Sequence, residues 1–466
     1  MSDSADLSLV EILELLTRRA LSARELVLDC IRRIETGEHT IRAFITRTPE
    51  LALRAATEAD EARARGERVG LLAGVPVAVK DVFLTRGVRT TAGSRVFAEY
   101  VPDEDAAVWQ RLSAAGAGLL GKTTTHEFGY GTASPPTRNP WDTDRTPGGS
   151  SGGSAAALAS RMAPVATGTD TAGSLRIPAA ACGISTLRSA RGRVSRYGAI
   201  PLSPSFDVAG PLARRMLDVA TLMRVLSGYD ERDPASQNGQ LPAYPETAPA
   251  DLSGTRIGLP TEMSCQEVDG SITSVCRDAL DLLVDLGAEL VEIETPPIAQ
   301  VVLPKTVGVF DTINESEALQ VHDHLTAYSD LYTPQVRERV SRGRLVSRER
   351  YEKAQQLRRE WAARWRKLMA SHGLAAVAHP TLDAPPPLVE TSRPPKGPSI
   401  RPSVPWTIAG FPALSVPAGF DDRGLPVGLS LAGLPEREAE VVGLGVVIDE
   451  EVQLWRREPR ISLGLP

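Results

Sequence analysis

Two stretches near the N-terminus carry apolar residues at helical spacing behind a serine that has a glutamate three positions on. Ser8 precedes Glu11 and Ser22 precedes Glu25, the capping-box spacing in which each side chain satisfies a backbone N–H of the other. Leu26, Val27, Cys30, Ile31 and Ile34 then recur on one helical face. A third helix is predicted from Pro49 to Arg65, after which GLLAGVPVAVKDVFL reads as a short buried strand ending at Lys80. From there to about Pro211 short apolar runs alternate with glycine-rich turns, as expected of a sheet flanked by helices.

Residues 255–295 repeat that arrangement in miniature. TRIGLP reads as a strand, SITSVCRDALDLLVDLG as a helix with Gly287 at its C-terminal cap, and AELVEIE as a second strand, which together make a β-α-β unit. Arg348 to Ala370 is a long arginine-rich helix. Pro380 to Pro405 is dense in proline and reads either as an extended loop over a pocket or as a surface linker. No solenoid-type repeat is present.

The chain has 466 residues, enough for several domains or one large α/β unit, and its 42% hydrophobic, 24% charged composition is that of an ordinary globular protein. A net charge of −6 argues against nucleic acid as a partner. Cys30, Cys182, Cys265 and Cys276 form no C-x-x-C pair and read as reduced core residues. The N-terminus lacks a basic region followed by an apolar run, and no segment is apolar enough to span a bilayer. A cytoplasmic protein without membrane attachment is expected. Only six residues are lysine, so each can be weighed as a candidate site.

Two familiar patterns fail on context. GAGLLGKT, Gly116 to Thr123, matches the phosphate-loop pattern letter for letter. That loop should follow a strand and open a helix, yet AAVWQRLSAA before it is helical in period and TTTHEFGYGTASPP after it is a poor helix. A helix ending at Gly116 and a strand through Leu119 and Leu120 is the simpler expectation. GGSSGGS, Gly148 to Ser154, holds the G-x-S-x-G pattern centred on Ser150 and on Ser151, but an esterase elbow needs a preceding strand and a later Asp and His. WDTDRTP is no strand, and His322, His324, His372 and His379 sit in contexts that read as core or surface.

What remains is Lys80 at a strand end, the loop TPGGSSGGS, and GTDTAGSLRIPAA from Gly168. A serine nucleophile needs an adjacent base, and a lysine can be that base only when neutral, a state that burial promotes. The apolar approach VPVAV supplies such burial for Lys80. Ser150, on a loop whose glycines allow close approach, suits a proton relay. Ser174 is predicted to open a helix, which would aim the amides of Thr171, Ala172, Gly173 and Ser174 outward as an oxyanion hole. Asp170 and Arg176 flank the turn and would pair to hold it, or else form a surface ion pair.

These segments resemble the amidase signature family. The resemblance is carried by GVPVAVKD, TTAGS, GKTTTHEF, TRNPWD, TPGGSSGGSAAA, GTDTAGSLRIPAAACG, GRVSRYG, SFDVAGPLAR and GFPALSVPAGFDDRGLPVGL, in that order over roughly residues 70–215 and 405–430. It implies a single α/β/α domain with a large mixed sheet and amide hydrolysis by a Ser-Ser-Lys triad. Residues 1–66 would be N-terminal helices, 67–215 the signature core, 216–405 a variable pocket region and 406–466 a return to the core. By motif, the lysine is Lys80, the cis-peptide relay serine is Ser150 and the nucleophile is Ser174. Ser151 and Ser154 would support the loop. The resemblance requires no cofactor or metal.

The chain departs from the family pattern twice. The turn reads T-A-G-S where T-G-G-S is commoner, so Ala172 would be strained if that position needs positive φ; allophanate hydrolases in the resemblance also carry alanine there. ISTLRSARGRVSR stands where GLKPT or GLRPT usually precedes GRVSR, which bears on packing at Arg188 to Ala190. Candidate pocket walls are His126, Phe128, Tyr130 and Trp406. Three classes fit: a stand-alone amidase acting on a small carboxamide, the glutaminase component of a tRNA-dependent amidotransferase, and a non-catalytic scaffold. A homodimer is the default assembly.

Overall fold

A computed structural model describes residues 3–261, 268–296, 308–389 and 397–459. Cys265 and part of the proline-dense stretch lie outside the described residues. Both expected capping boxes are formed, at the starts of α1 (Leu9–Thr17) and α2 (Ala23–Ile41). β1 (Phe44–Arg47) and α3 (Pro49–Ala64) lead to β2 (Pro76–Lys80), with Lys80 as its last residue. α4 (Ala107–Ala114) ends just before Gly116, whose φ of +90° only glycine adopts freely, and β3 (Gly118–Thr123) follows. The GAGLLGKT segment is therefore a helix end and a fully buried strand, with no phosphate loop.

The serine-rich loop enters α5 (Gly152–Ala159), and β4 (Val165–Asp170) ends at the nucleophile turn before α6 (Arg176–Cys182). β5 (Ser185–Arg188), β6 (Val208–Ala213) and α7 (Met216–Leu226) follow. The expected β-α-β unit is β7 (Arg256–Pro260), α8 (Gly270–Asp285) and β8 (Glu289–Ile293), its strands paired in parallel. Then come α9 (Val309–His322), α10 (Pro334–Arg342), the long α11 (Arg348–His372), β9 (Leu374–Pro380), α12 (Val404–Ala409), β10 (Ala413–Phe420), β11 (Pro426–Ala432) and α13 (Glu438–Val452).

The described strands form one mixed sheet of eleven, in the order β1-β3-β2-β4-β6-β5-β10-β11-β9-β7-β8, with helices flanking it. β2 lies parallel to both β3 and β4, so Lys80 finishes between two neighbours at the same edge of the sheet. One core cluster runs from α1 and α2 through the central strands, and a second gathers Trp361, Trp365, Trp406 and Phe206 under α9 and α11. Among the described residues no helix is long and apolar enough to cross a membrane.

The N-terminal helix is tied to the sheet by a buried carboxylate. Asp218, in the first turn of α7, accepts from the Leu9 and Val10 N–H groups at 3.0 Å each, groups that the first turn of α1 leaves without helical partners. Replacing Asp218 with alanine is expected to cost about 1–3 kcal/mol, because buried donors lose their acceptor. The urea midpoint of Asp218→Ala should fall while the slope of the transition stays that of the parent.

Candidate active site

Three chain segments converge at the C-terminal ends of β2 and β4. The Lys80 side chain is fully buried, and its Nζ lies 2.7 Å from Ser150 Oγ and 2.7 Å from Thr169 Oγ1. Among the described residues it forms no ion pair. Burial lowers its pKa from 10.5 to about 7, against the opposing pull of Asp170 and then Asp207. Ser150 follows a cis peptide bond from Gly149. Its carbonyl accepts from Ser134 Oγ at 3.0 Å, and the same hydroxyl accepts from Gly152 N–H at 3.0 Å. The loop is further stitched to the sheet by Ser151, whose Oγ donates to Thr169 O at 3.2 Å, and by Ser154, whose Oγ donates to Thr167 O at 2.8 Å. Ser151 N–H also donates to Ser174 O at 3.3 Å, which joins the relay loop to the nucleophile turn.

That turn is organised by Asp170. Its carboxylate accepts from Gly173 N–H at 2.8 Å and Leu175 N–H at 3.3 Å, from Arg176 Nε and Nη2 at 3.0 Å each, and from Arg188 Nη1 at 3.0 Å. Both guanidinium groups are buried with it, and they hold the carboxyl well below the usual carboxylate range despite its burial. The pair Asp170–Arg176 is thus internal, and the surface alternative is ruled out. Two sequence expectations change in consequence. Gly173 N–H is committed to Asp170, which takes it out of the four amides expected to act together. The helix α6 begins at Arg176, two residues after Ser174, with the Leu175 N–H between them bonded to Asp170.

The two departures in sequence prove benign in geometry. The left-handed φ of +122° falls on Gly173 and not on Ala172, so alanine there is unstrained. Arg188, in the unusual ISTLRSAR segment, donates to Asp170 O and to Phe206 O at 2.9 Å and braces the turn from behind.

Two cavities meet here. One, about 300 Å3, has Ser174 in its wall together with Tyr130, Ala172, Asn314 and Arg339. The other, about 430 Å3, includes Phe128 and the Lys80 partner Thr169. Gly129, Thr171 and Leu202 belong to both. Tyr130 and Phe128 are therefore cavity walls as expected. His126 and Trp406 line neither of these two cavities: His126 is buried against Gly131, and Trp406 Nε1 donates to His379 Nε2 at 2.6 Å inside the second core cluster. His322 Nδ1 is 2.8 Å from Tyr332 Oη, so neither His322 nor His379 serves a serine of the GGSSGGS loop. Thr169 and Asp207 were not singled out from sequence; only the position of Thr169, two residues before T-A-G-S, offered a signal.

The arrangement brings a buried lysine, a serine loop and a second serine-bearing turn together at one edge of the sheet. The family model for amidases matches residues 25–442, and the chain belongs to that family. It is 38% identical over 469 residues to a glutamyl-tRNA(Gln) amidotransferase subunit from Chloroflexus aurantiacus, covering 95% of this chain and 96% of that one. A chain from a vestigial protein complex linked to the origins of an s-triazine catabolic enzyme superposes with a TM-score of 0.87 at 30% identity, covering 96% of this chain and 98% of its own. The peptide amidase of Stenotrophomonas maltophilia superposes with a TM-score of 0.82 at 28% identity, covering 98% of each.

Removing Asp170 would leave two guanidiniums buried without a counter-charge. Asp170→Ala is expected to lose about 3–5 kcal/mol of stability, read from urea unfolding, and a loss under about 1 kcal/mol would show that the clamp is not the structural centre of the turn.

Proposed function

We propose that the chain hydrolyses the C–N bond of a carboxamide, with Ser174 as nucleophile, Ser150 as two-way proton relay and Lys80 as general base. The observation that carries this reading is a buried lysine that has no carboxylate partner among the described residues, its Nζ 2.7 Å from a serine hydroxyl. A neutral Nζ donates one N–H to Thr169 and accepts the Ser150 proton with its lone pair. As Ser150 gives up that proton it takes the one from Ser174, whose oxygen attacks the carbonyl carbon. The oxyanion is received by the free amides of Thr171, Ala172 and Ser174, each such donor being worth about 3 kcal/mol in the transition state. Collapse breaks the C–N bond, and Lys80 returns the proton through Ser150 to the leaving nitrogen. Water, activated by the same relay, then releases the acid from Ser174.

For the identity of the amide, the names of the curated relatives support glutamine, with the chain acting as the glutaminase component of an amidotransferase. The likeness to peptide amidase supports a stand-alone enzyme acting on a small carboxamide, for which a homodimer is the expected assembly. With either reading a cytoplasmic location is expected, in keeping with Cys30, Cys182 and Cys276 being buried free thiols. Glutamine hydrolysis that rises with a co-purifying partner assigns the amidotransferase role. Turnover of other carboxamides by the isolated chain, with glutamine inert, assigns the stand-alone enzyme.

The chemistry itself is tested without knowing the substrate. A fluorophosphonate probe should label Ser174, mapped by mass spectrometry after digestion, and the adduct should disappear in Lys80→Ala. An adduct on Ser151 or on no serine of these loops would dismiss the triad.

The pH dependence has a definite sign. Because the Lys80 pKa is about 7, the base is charged and idle below that pH and neutral above it. The rate of probe labelling should therefore fall about tenfold per pH unit on the acid side of a single limb near pH 7 and level off above it. Lys80→Arg, charged at every accessible pH, should show no such plateau and no labelling.

A further inference from the structure

The proton economy of the proposed reaction fixes which cavity receives which half of the substrate. Ser174 lies in the wall of the smaller cavity, so the acyl group it captures extends there. The leaving nitrogen must take its proton from Ser150, which is bonded to Lys80, and Lys80 in turn to Thr169. Thr169 lines the larger cavity and not the smaller one. On the Thr169 side of Lys80 the space open to the nitrogen and whatever it carries is the larger cavity. Ammonia alone would leave nearly all of that 430 Å3 unused.

The walls of the larger cavity describe what would fill it. Val82, Phe128, Ile200, Leu202 and Val208 give it an apolar surface. Most of its charged groups are already satisfied. Arg196 holds Asp233 through two bonds of 3.0 and 2.7 Å, and Arg232 pairs with Asp230 at 2.8 Å while lying over the Tyr197 ring. Asp207 accepts from Thr171 Oγ1 and from the Leu202 and Ser203 amides. Glu317, near the same wall, accepts from Ser203, Ser205 and Tyr351.

Arg191 is the exception. Its Nη2 donates to Pro204 O at 2.9 Å, and among the described residues no carboxylate is bonded to its guanidinium. A guanidinium at the wall of an apolar cavity, with donors to spare, is a receptor for a carboxylate.

We infer that the substrate is a secondary amide whose nitrogen bears an aliphatic chain ending in a carboxylate, with that chain in the larger cavity and Arg191 as its counter-ion. This rests on the roles assigned above to Ser174 and Ser150 and on the stand-alone reading rather than the glutamine one, and it makes the leaving group an ω-amino acid or a similar amino-carboxylate.

The test holds the acyl group at acetyl and varies the amine: acetamide, N-pentylacetamide and 5-acetamidopentanoate, each followed by release of acetate. In the parent protein kcat/KM for 5-acetamidopentanoate should exceed that for N-pentylacetamide by about tenfold or more. The ratio should approach one in Arg191→Gln and stay intermediate in Arg191→Lys, with folding of both variants checked by thermal unfolding. A ratio near one in the parent overturns the inference, as does a ratio that Arg191→Gln leaves intact. Labelling of Ser174 by fluorophosphonate without turnover of either N-alkyl amide also overturns it while leaving the triad standing. Failure of the probe to label Ser174 removes the triad and the inference together.

Discussion

The site depends on keeping one lysine dry and without a counter-charge. A lysine in water holds its proton through the whole physiological range, and the sheet removes that option for Lys80 by ending β2 between β3 and β4. A second lysine shows what distinguishes it. Lys122 on the neighbouring strand is equally buried, but its Nζ donates to Phe83 O and Thr90 Oγ1 at 2.7 Å each and lies 3.5 Å from Asp81. Lys80 pairs in register with Thr123, and successive residues of a strand point to opposite faces. The two amino groups are thereby separated, and the carboxylate next to Lys80 in sequence serves Lys122. Lys80 is left with hydroxyls, which can exchange a proton with it in either direction.

The proposed base is useful only if the turn carrying the proposed nucleophile is rigid, and here the structure accepts buried charge. Asp170 gathers two guanidiniums and two backbone amides in a region from which water is excluded. Such a cluster contributes little net stability compared with an apolar replacement, since desolvation offsets much of its attraction. What it supplies is geometry. It engages the Gly173 N–H and places the one left-handed residue of the turn at a glycine.

How much of this could be read from sequence follows from how local each feature is. The capping boxes at Ser8 and Ser22, the strand ending at Lys80 and the strand within GAGLLGKT are set by residues a few positions apart, and each formed as expected. The β-α-β unit over 256–293 is equally local. The roles of Arg188 and Asp207 depend on partners eighteen and thirty-six residues away, and no spacing rule connects them. Trp406 shows the converse: its place beside a proline-rich segment says nothing of its indole N–H, which donates to His379 across the second core. Whether Ala172 was strained could not be decided until the turn showed that Gly173, and not its neighbour, carries the positive φ.

The same distinction separates chemistry from selectivity. The lysine, both serines and the clamp all come from residues 80–188, in one continuous part of the sheet and its loops. The smaller cavity instead borrows Phe310 and Asn314 from α9 and Arg339 and Arg342 from α10. The larger cavity draws Arg191 to Ala209 and Arg232 to Ala235 from the connections around β6 and after α7. Substitutions in those helices and connections alter what the cavities hold without touching the bonds among Lys80, Ser150 and Thr169. One framework can in this way underlie proteins named for different amides, and the identity of a substrate must be sought in the cavity walls and not in the triad.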